Sequence, residues 1–474
     1  MKILHLEDDK KWFEGTVYPF LKKIDNLDVL YAQNKEDALN ILCSNDIDFA
    51  ILDLSVPSDE KSQTSDIQHG LHVAQYIRSN HPGIPITILT GQSTEAAAEQ
   101  FENDNTFTTF WNGDEKPLIK IRPKRKVAEV IEYIQEISKQ LIELDSIELD
   151  FNPKKINLSL YEKRVIRLFC LHHIGCAAKI EPLSDGLSSA KVLSVSLINS
   201  NGHTFHYALA KVGANSLVDL ERQNFHEHII KLSVGSFPTY LNEYYAGCGS
   251  IKGVFFQFAA NYNKNYFQSY LSSDNDALEA ASATKEIFSN WVAGRYSRVL
   301  SIIDIRRMFC SDEKIAQHNI AEQLKDYGLD IDSFEKIKIN FWFAPQHSDL
   351  HGLNILISEH NKPLIIDYGD VKVCPAAIDP VTLELSQYFH PHICKELEIN
   401  EKLAEKWFDD NEHHLFTDRP ETAMFLRQWS RENCFLAKNY NAIVYSYLIR
   451  QLTYPDTNKI FAIALLKSAI NNAS

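Results

Sequence analysis

No apolar run in the 474 residues is long enough to cross a bilayer. The opening Met-Lys-Ile-Leu-His-Leu-Glu-Asp-Asp turns acidic before the apolar stretch of a secretion signal could form. A cytoplasmic location without a membrane partner is therefore expected. Basic charge is in deficit: 48 Lys and Arg face 63 Asp and Glu, a formal net charge of −15. The average field repels polyanions, so nucleic acid is not an expected partner. The one basic run, Lys120 to Lys126, reads as a solvated surface segment. None of the eight cysteines stands in a Cys-x-x-Cys pair, which argues against a zinc ribbon or a disulfide framework and fits reduced thiols. Internal repeats and low-complexity tracts are absent as well.

What is present is a globular composition, 45% hydrophobic and 23% charged, with material for more than one core. Over 1–141, short apolar runs alternate with helical patterns. Strands are expected at Ile3–Leu6, Val29–Tyr31, Phe49–Leu54 and Ile86–Leu89, with helices such as Glu36–Cys43 and Leu71–Arg78 between them. That alternation predicts an α/β unit, a doubly wound parallel sheet of five strands. It closes on an amphipathic helix through Val127, Val130, Ile134, Ile137 and Leu141. A linker is expected over 142–160, where Asn152-Pro153 signals a turn. From 161 the pattern predicts an α+β, bilobal unit. Its small β-rich lobe runs to about 260, with a helix at Leu160–His172 and strands near Lys179–Leu183, Lys191–Ile198, Phe205–Val212 and Gly253–Phe258. The larger lobe, 261–474, reads as helical apart from the strands Ile355–Ile357 and Leu364–Ile366.

Ligands of open parallel sheets bind at the carboxyl ends of the strands. Those ends carry Glu7, Asp8, Asp53 and Thr90. Carboxylates converging on one mouth need a cation, and hard oxygen donors suit Mg²⁺. Glu7 and Asp8 would hold the metal, Asp53 would be both ligand and nucleophile, and Thr90 would donate to the phosphoryl group. A lysine should balance the charge. Lys116, Lys120 and Arg122 compete for that place, and Lys120 is preferred by its distance from Val127, the start of the last helix. These residues in this order, with Pro57 and Gly70, resemble the response regulator receiver family. The resemblance implies phosphorylation of Asp53 by a sensor histidine kinase or a small phosphodonor, and a possible homodimer through the last helix. The loop from Pro57 to Gly70 is longer than that family usually carries.

The second constellation is His347-Ser-Asp-Leu-His-Gly-Leu-Asn354, followed by Leu364-Ile-Ile-Asp367. The two apolar runs should pair as a hairpin, bringing Asn354 and Asp367 to one end as ligands for Mg²⁺ with a nucleotide triphosphate. Asp349, five residues before Asn354, has the spacing of a kinase catalytic loop and would orient or deprotonate an acceptor hydroxyl. Lys211, in the strand pattern Tyr207–Val212, would meet phosphates. Its expected carboxylate partner is Glu221, with Glu227 in reserve. Gly186, Ser188 and Ser189 would form the phosphate-covering loop. Together these features resemble the aminoglycoside-phosphotransferase and choline-kinase branch of the protein-kinase-like superfamily, over about 161–474. The branch is favoured because no Ala-Pro-Glu segment follows Asp367, whereas Asp379-Pro380 does. The resemblance implies ATP or GTP as donor, Mg²⁺ as cofactor and an unknown hydroxyl acceptor, a small molecule or protein. A receiver-regulated phosphotransferase in a bacterial phosphorelay, signalling or defence pathway is the leading expectation. The alternative is a nucleotide-binding pseudokinase acting as a phosphorylation-controlled interaction module.

Overall fold

In the computed structural model the described residues are all but 63, 92–100, 102–106, 184–189, 259–261, 263, 396–400, 410 and 474. The chain divides into two compact units. One comprises Met1–Asp219 with Thr239–Phe258, the other Leu220–Pro238 with Ala259–Ser474.

The first unit opens with β1 (Lys2–Leu6), β2 (Asp28–Ala32), β3 (Phe49–Leu52), β4 (Ile86–Thr90) and β5 (Ile119–Pro123). They form one sheet in the order β2-β1-β3-β4-β5, and every pairing in it is parallel. The central strands are apolar on both faces because helices cover both. Among these helices are α1 (Lys35–Ser44), capped by the Asn34 side chain, and α2 (Ile67–Asn80), capped by Asp66. Gly70 lies against the chain just after β3, where a β-carbon would run into the Leu54 backbone and the Asp53 carbonyl. The last helix of this sheet, α3 (Val127–Asp145), buries Val130, Ile134, Ile137, Leu141 and Leu144. That apolar stripe is used inside the unit, so the face left outside on this helix is largely polar.

The stretch expected as a linker is structured. Its residues Glu148–Asp150 form β6, which pairs in parallel with β7 (Ala177–Pro182). With β8 (Lys191–Ile198), β9 (Thr204–Ala214), β10 (Thr239–Tyr244) and β11 (Ile251–Gln257) it completes a six-stranded sheet, in the order β10-β11-β9-β8-β7-β6. Helix α4 (Leu160–His172) falls where the sequence placed it, and its start is fixed by a Ser159/Glu162 capping box. A single core runs from Ile3, Phe49 and Ile51 of the parallel sheet through α3 and α4 to Leu193, Val195 and Phe255 of the six-stranded one.

Where the two sheets meet, the contacts lie at the amino ends of the parallel strands. Arg164 of α4, 3% exposed, binds Asp48, which immediately precedes β3, and reaches Asp145 at 3.1 Å. Gly83, just ahead of β4, receives an N–H from Gly247 at 2.7 Å and donates its own to Gly249 at 2.9 Å. Gly247 has φ +71° and lies so close to the Trp111 ring that a β-carbon there would clash. The carboxyl ends of the parallel strands therefore face away from this junction.

In the second unit, the helical expectation holds for much of the chain but misses one sheet. Strands β12 (Tyr296–Ser301), β13 (Lys338–Gln346) and β16 (Lys372–Pro375) form a three-stranded antiparallel sheet. In β13, buried Ile339, Phe341 and Phe343 alternate with less buried neighbours, a period of two that the sequence already carried. Strand β12 is an exposed edge, so its composition gives little signal. The expected hairpin is present as β14 (Ile355–Ile357) and β15 (Pro363–Ile365), joined by the two-residue strand Lys264–Asn265. Helices α5 (Ile378–Phe389) and α6 (Ala437–Gln451) are almost wholly buried in the large apolar cluster of this unit. No described helix is long and apolar enough to cross a membrane.

Candidate functional site

At the carboxyl ends of β1 and β3, one oxygen from each of Glu7, Asp8 and Asp53 lies within 4.8 Å of the others. Glu7 and Asp53 are buried, at 1% and 6% exposure. Thr90, also buried, ends β4. The cation that balances the group is Lys124. Its Nζ lies 2.6 Å from Asp53 Oδ2 and 2.7 Å from Glu7 Oε2, and 4.9 Å from the centre of the Trp12 ring. Lys120, the residue preferred from the sequence, is not in this group. It lies within β5 opposite Thr87, and its Nζ sits 3.5 Å from the centre of the Tyr133 ring. The physical reason is strand position. Site residues must stand at or beyond the last residue of a strand, and β5 ends at Pro123, opposite Thr90. Lys124 is the first side chain past that end.

The long loop after Pro57 reaches back to this mouth. Ser65 Oγ donates to Asp8 Oδ2 at 2.7 Å, and the loop is pinned by a bridge between Val56 and Asp66. Asp53 is anchored through its own N–H to the Leu6 carbonyl at 2.9 Å, and its Oδ1 accepts from the Ser55 N–H at 3.2 Å. Glu7 accepts the Asp9 N–H at 3.2 Å.

Burial pushes the Glu7 carboxyl up to about 7, against the opposing pull of Lys124. Lys124 is held above the usual lysine range: burial lowers it, but bonds to Asp53 and Glu7 outweigh that. The donor set, three carboxylates offering hard oxygens, fits a divalent cation of the Mg²⁺ type. Glu7, Asp8 and Asp53 are the residues that would hold it. A raised carboxyl binds its proton more tightly folded than unfolded. Its contribution to stability is therefore present below about 4.5, its ordinary value, and lost as pH rises through about 7. A cation must displace that proton. Mg²⁺ titrations in two buffers of different ionisation heat should show proton release that grows as pH falls from 8 to 6, with affinity dropping toward about tenfold per unit below pH 7. Glu7→Gln should abolish the proton release; equal release in that variant would assign the proton elsewhere.

The second constellation lies within the second unit. The loop after β13 is clamped by Asp379, at the start of α5. Its two carboxylate oxygens accept the N–H groups of His347 at 2.7 Å and Ser348 at 2.8 Å. Burial raises the Asp379 carboxyl to about 6. Ser348 takes φ +67°, a conformation in which glycine is usually at ease. His347 Nε2 bonds the Ile366 carbonyl at 2.9 Å, so it braces the loop. Asn354 Nδ2 donates to the Asp349 carbonyl at 2.9 Å, and the Asn354 carbonyl accepts from Ile366 N–H at 3.1 Å. Ile355 pairs with Ile365. That register brings Asn354 and Asp367 to one end of the hairpin, and Asp367 sits there at φ +65°.

Asp349 has two neighbours the spacing could not reveal. Arg450 of α6 donates from Nη1 to Asp349 Oδ1 at 3.3 Å, and His351 Nε2 lies 3.5 Å from Asp349 Oδ2. Burial works against ionisation of Asp349, but the His351 and Arg450 charges outweigh it and hold the carboxyl well below the usual carboxylate range. Glu221, 1% exposed, accepts the Tyr368 N–H at 2.9 Å, just past Asp367. Glu227 instead pairs with Gln223 at the helix surface. Lys211, in the first unit, is buried in β9 between Val192 of β8 and Val254 of β11. Gly186, Ser188 and Ser189 lie outside the described residues. Trp407 and Trp429 are core side chains of the second unit.

The comparisons bear on the first constellation. Residues 3–108 match the response regulator receiver domain family model. This segment is a receiver domain, and such domains serve two-component or phosphorelay signalling, typically taking phosphate from sensor histidine kinases. The chain is similar to the solved receiver domain of the Francisella response regulator 1452, at 20% identity over 30% of this chain and 98% of that one, with TM-score 0.21. It is also similar to a CheY-like receiver protein from Methanospirillum hungatei, at 17% identity over 30% and 97%, TM-score 0.22. A third is the receiver domain of a DNA-binding response regulator from Colwellia psychrerythraea, at 22% identity over 30% and 98%, TM-score 0.22. No curated protein matches the chain.

Proposed function

We propose that the chain is a phosphotransferase under the control of its own receiver domain, moving the γ-phosphoryl group of a nucleoside triphosphate to a hydroxyl acceptor. The observation that carries this reading is the loop from His347 to Asp367. Asp349 and Asn354 are tied to one another, and the hairpin register sets Asp367 at the same end as Asn354. Asn354 and Asp367 would hold Mg²⁺, whose chemistry when bound is to neutralise charge on the donor's phosphates. Asp349 would orient the acceptor hydroxyl. Its depressed proton affinity makes it a poor base, which suits a loose transition state that asks mainly for positioning. The strand-strand-strand-helix-strand-strand order from β7 to β11 supports the same reading.

The atoms balance simply. The acceptor oxygen bonds to the γ-phosphorus, and the bond to the β–γ bridging oxygen breaks with its electron pair leaving on the nucleoside diphosphate. The hydroxyl proton leaves to solvent, with Asp349 holding the hydroxyl in place. Mg²⁺-dependent nucleotide consumption by the purified chain should fall at least about a hundredfold in Asp349→Asn and in Asp367→Asn. Equal rates in all three proteins would remove the enzyme reading.

A further inference from the structure

The surroundings of Asp349 carry information about the acceptor, on the premise that the phosphotransferase reading above holds. Arg450 stands at the end of α6, 101 residues beyond Asp349 in the chain. Its guanidinium lies against Tyr447 and Phe309, 5.2 and 5.7 Å from their ring centres. One of its nitrogens donates to Asp349, while its buried Nε has no partner among the described residues. On the other carboxylate oxygen sits His351. Asn354 Nδ2 lies 3.3 Å from His351 Nε2 as well. Nδ1 is buried and also has no partner among the described residues. The His390 ring lies 4.8 Å from His351, and burial, with the nearby His351 and His392, lowers it to about 3, so it stands there uncharged.

The balance of charge beside Asp349 is informative. Its single negative charge is already matched by Arg450, and Asp379, which clamps the same loop from α5, has both oxygens committed to backbone N–H groups. A cationic alcohol approaching Asp349 would meet a fixed guanidinium already on its carboxylate. An oxyanion would meet a planar donor fork with a buried N–H still open. Leaving such a donor unsatisfied carries a desolvation penalty that an arriving anion removes. Arginine is the side chain whose geometry matches carboxylate and phosphate in two-point contact.

We propose that the acceptor is an anionic alcohol, carrying a phosphate or carboxylate close to its reacting hydroxyl, and that Arg450 is the residue that selects it. This departs from the cationic acceptors, aminoglycosides and choline, for which the resembled branch is named.

The test uses the full chain and three hydroxyl probes in calorimetry: glycerol 3-phosphate, glycerate and choline. Both anions should bind and choline should not. The tighter of the two anions tells phosphate from carboxylate. Arg450→Met should weaken both anions at least about tenfold, and Arg450→Lys should recover part of the loss. Saturable binding of choline to the wild-type chain overturns the proposal, as does failure of both anions to bind it or equal anion affinity in Arg450→Met. The wild-type comparison needs no variant to fold. Binding of Mg²⁺ and nucleotide by the wild-type chain is measured separately. If that binding fails while the anions still respond to Arg450, the phosphotransferase reading falls and the anion site stands.

Discussion

Acetyl phosphate with Mg²⁺ should place one acid-stable, base-labile phosphoryl group on the wild-type chain and none on Asp53→Ala. The expectation follows from geometry. Asp53 is the buried carboxylate at the end of β3, fixed by its backbone bond to Leu6, with a cation on one oxygen and the Ser55 N–H on the other. In-line attack by a carboxylate oxygen forms the acyl phosphate while the donor's leaving group departs with the electron pair. Lys124, 2.6 Å from Asp53, is placed to steady the charge that develops. Removing one such positioned donor costs on the order of a hundredfold in rate. Lys124→Met should therefore slow labelling strongly, whereas Lys120→Met should leave it within about twofold, because Lys120 lies against Tyr133 away from the acceptor. Equal slowing by both substitutions would mean that Lys124 is not the lysine that serves Asp53. The modification adds roughly 1.5 to 2 negative charges at pH 7, enough to redistribute the bonds of Lys124 and of the Ser65 hydroxyl beside it.

Arg164→Met should destabilise the first unit by roughly 3–5 kcal/mol, lowering its melting temperature by about 10 °C. Arg164 and Asp48 are both buried, with side chains 4% and 6% exposed, so the substitution strands a carboxylate in the core. Asp145, 29% exposed, can turn to water and contributes less. Adding Asp48→Asn to Arg164→Met should restore part of the loss, since the stranded charge then disappears. The contrast is Lys126 with Glu129, an exposed pair three residues apart at the start of α3, whose removal should leave the melting temperature nearly unchanged. Because one core joins the parallel and six-stranded sheets, the loss should appear as a shift of a single transition. Separate melting of the receiver segment, unaffected by Arg164, would show that the ion network and shared core do not couple the two sheets.

How much could be read beforehand depended on the range of each interaction. The parallel sheet and its acidic mouth were legible because strand ends and local periodicity announce them: Glu7, Asp8 and Asp53 meet as expected. The hairpin that joins Asn354 to Asp367 was legible for the same reason, as its two strands are separated by a short turn. Lys124 required knowing the last residue of β5, which depends on its ladder with β4 and not on local composition. Arg450 and Arg164 were out of reach, since their partners lie 101 and 116 residues away and a lone arginine in a helix carries no signal of its own. Strand β6 hid in a stretch whose Asn-Pro turn suggested a linker, because a three-residue edge strand has too few residues to show a period. The missed sheet of the second unit divides the same way: β13 had a readable alternation, β12 did not.

On the function proposed above, the receiver controls nucleotide chemistry in the same chain. The direct measurement is the initial rate of nucleoside diphosphate release from Mg²⁺ and ATP, with and without acetyl phosphate, in wild type, Asp53→Ala and Asp349→Asn. The wild-type rate should change several-fold on phosphorylation, Asp53→Ala should show the unmodified rate under both conditions, and Asp349→Asn should release little under either. A wild-type rate indifferent to acetyl phosphate while Asp53 is demonstrably labelled, or a rate unchanged by Asp349→Asn, would contradict it.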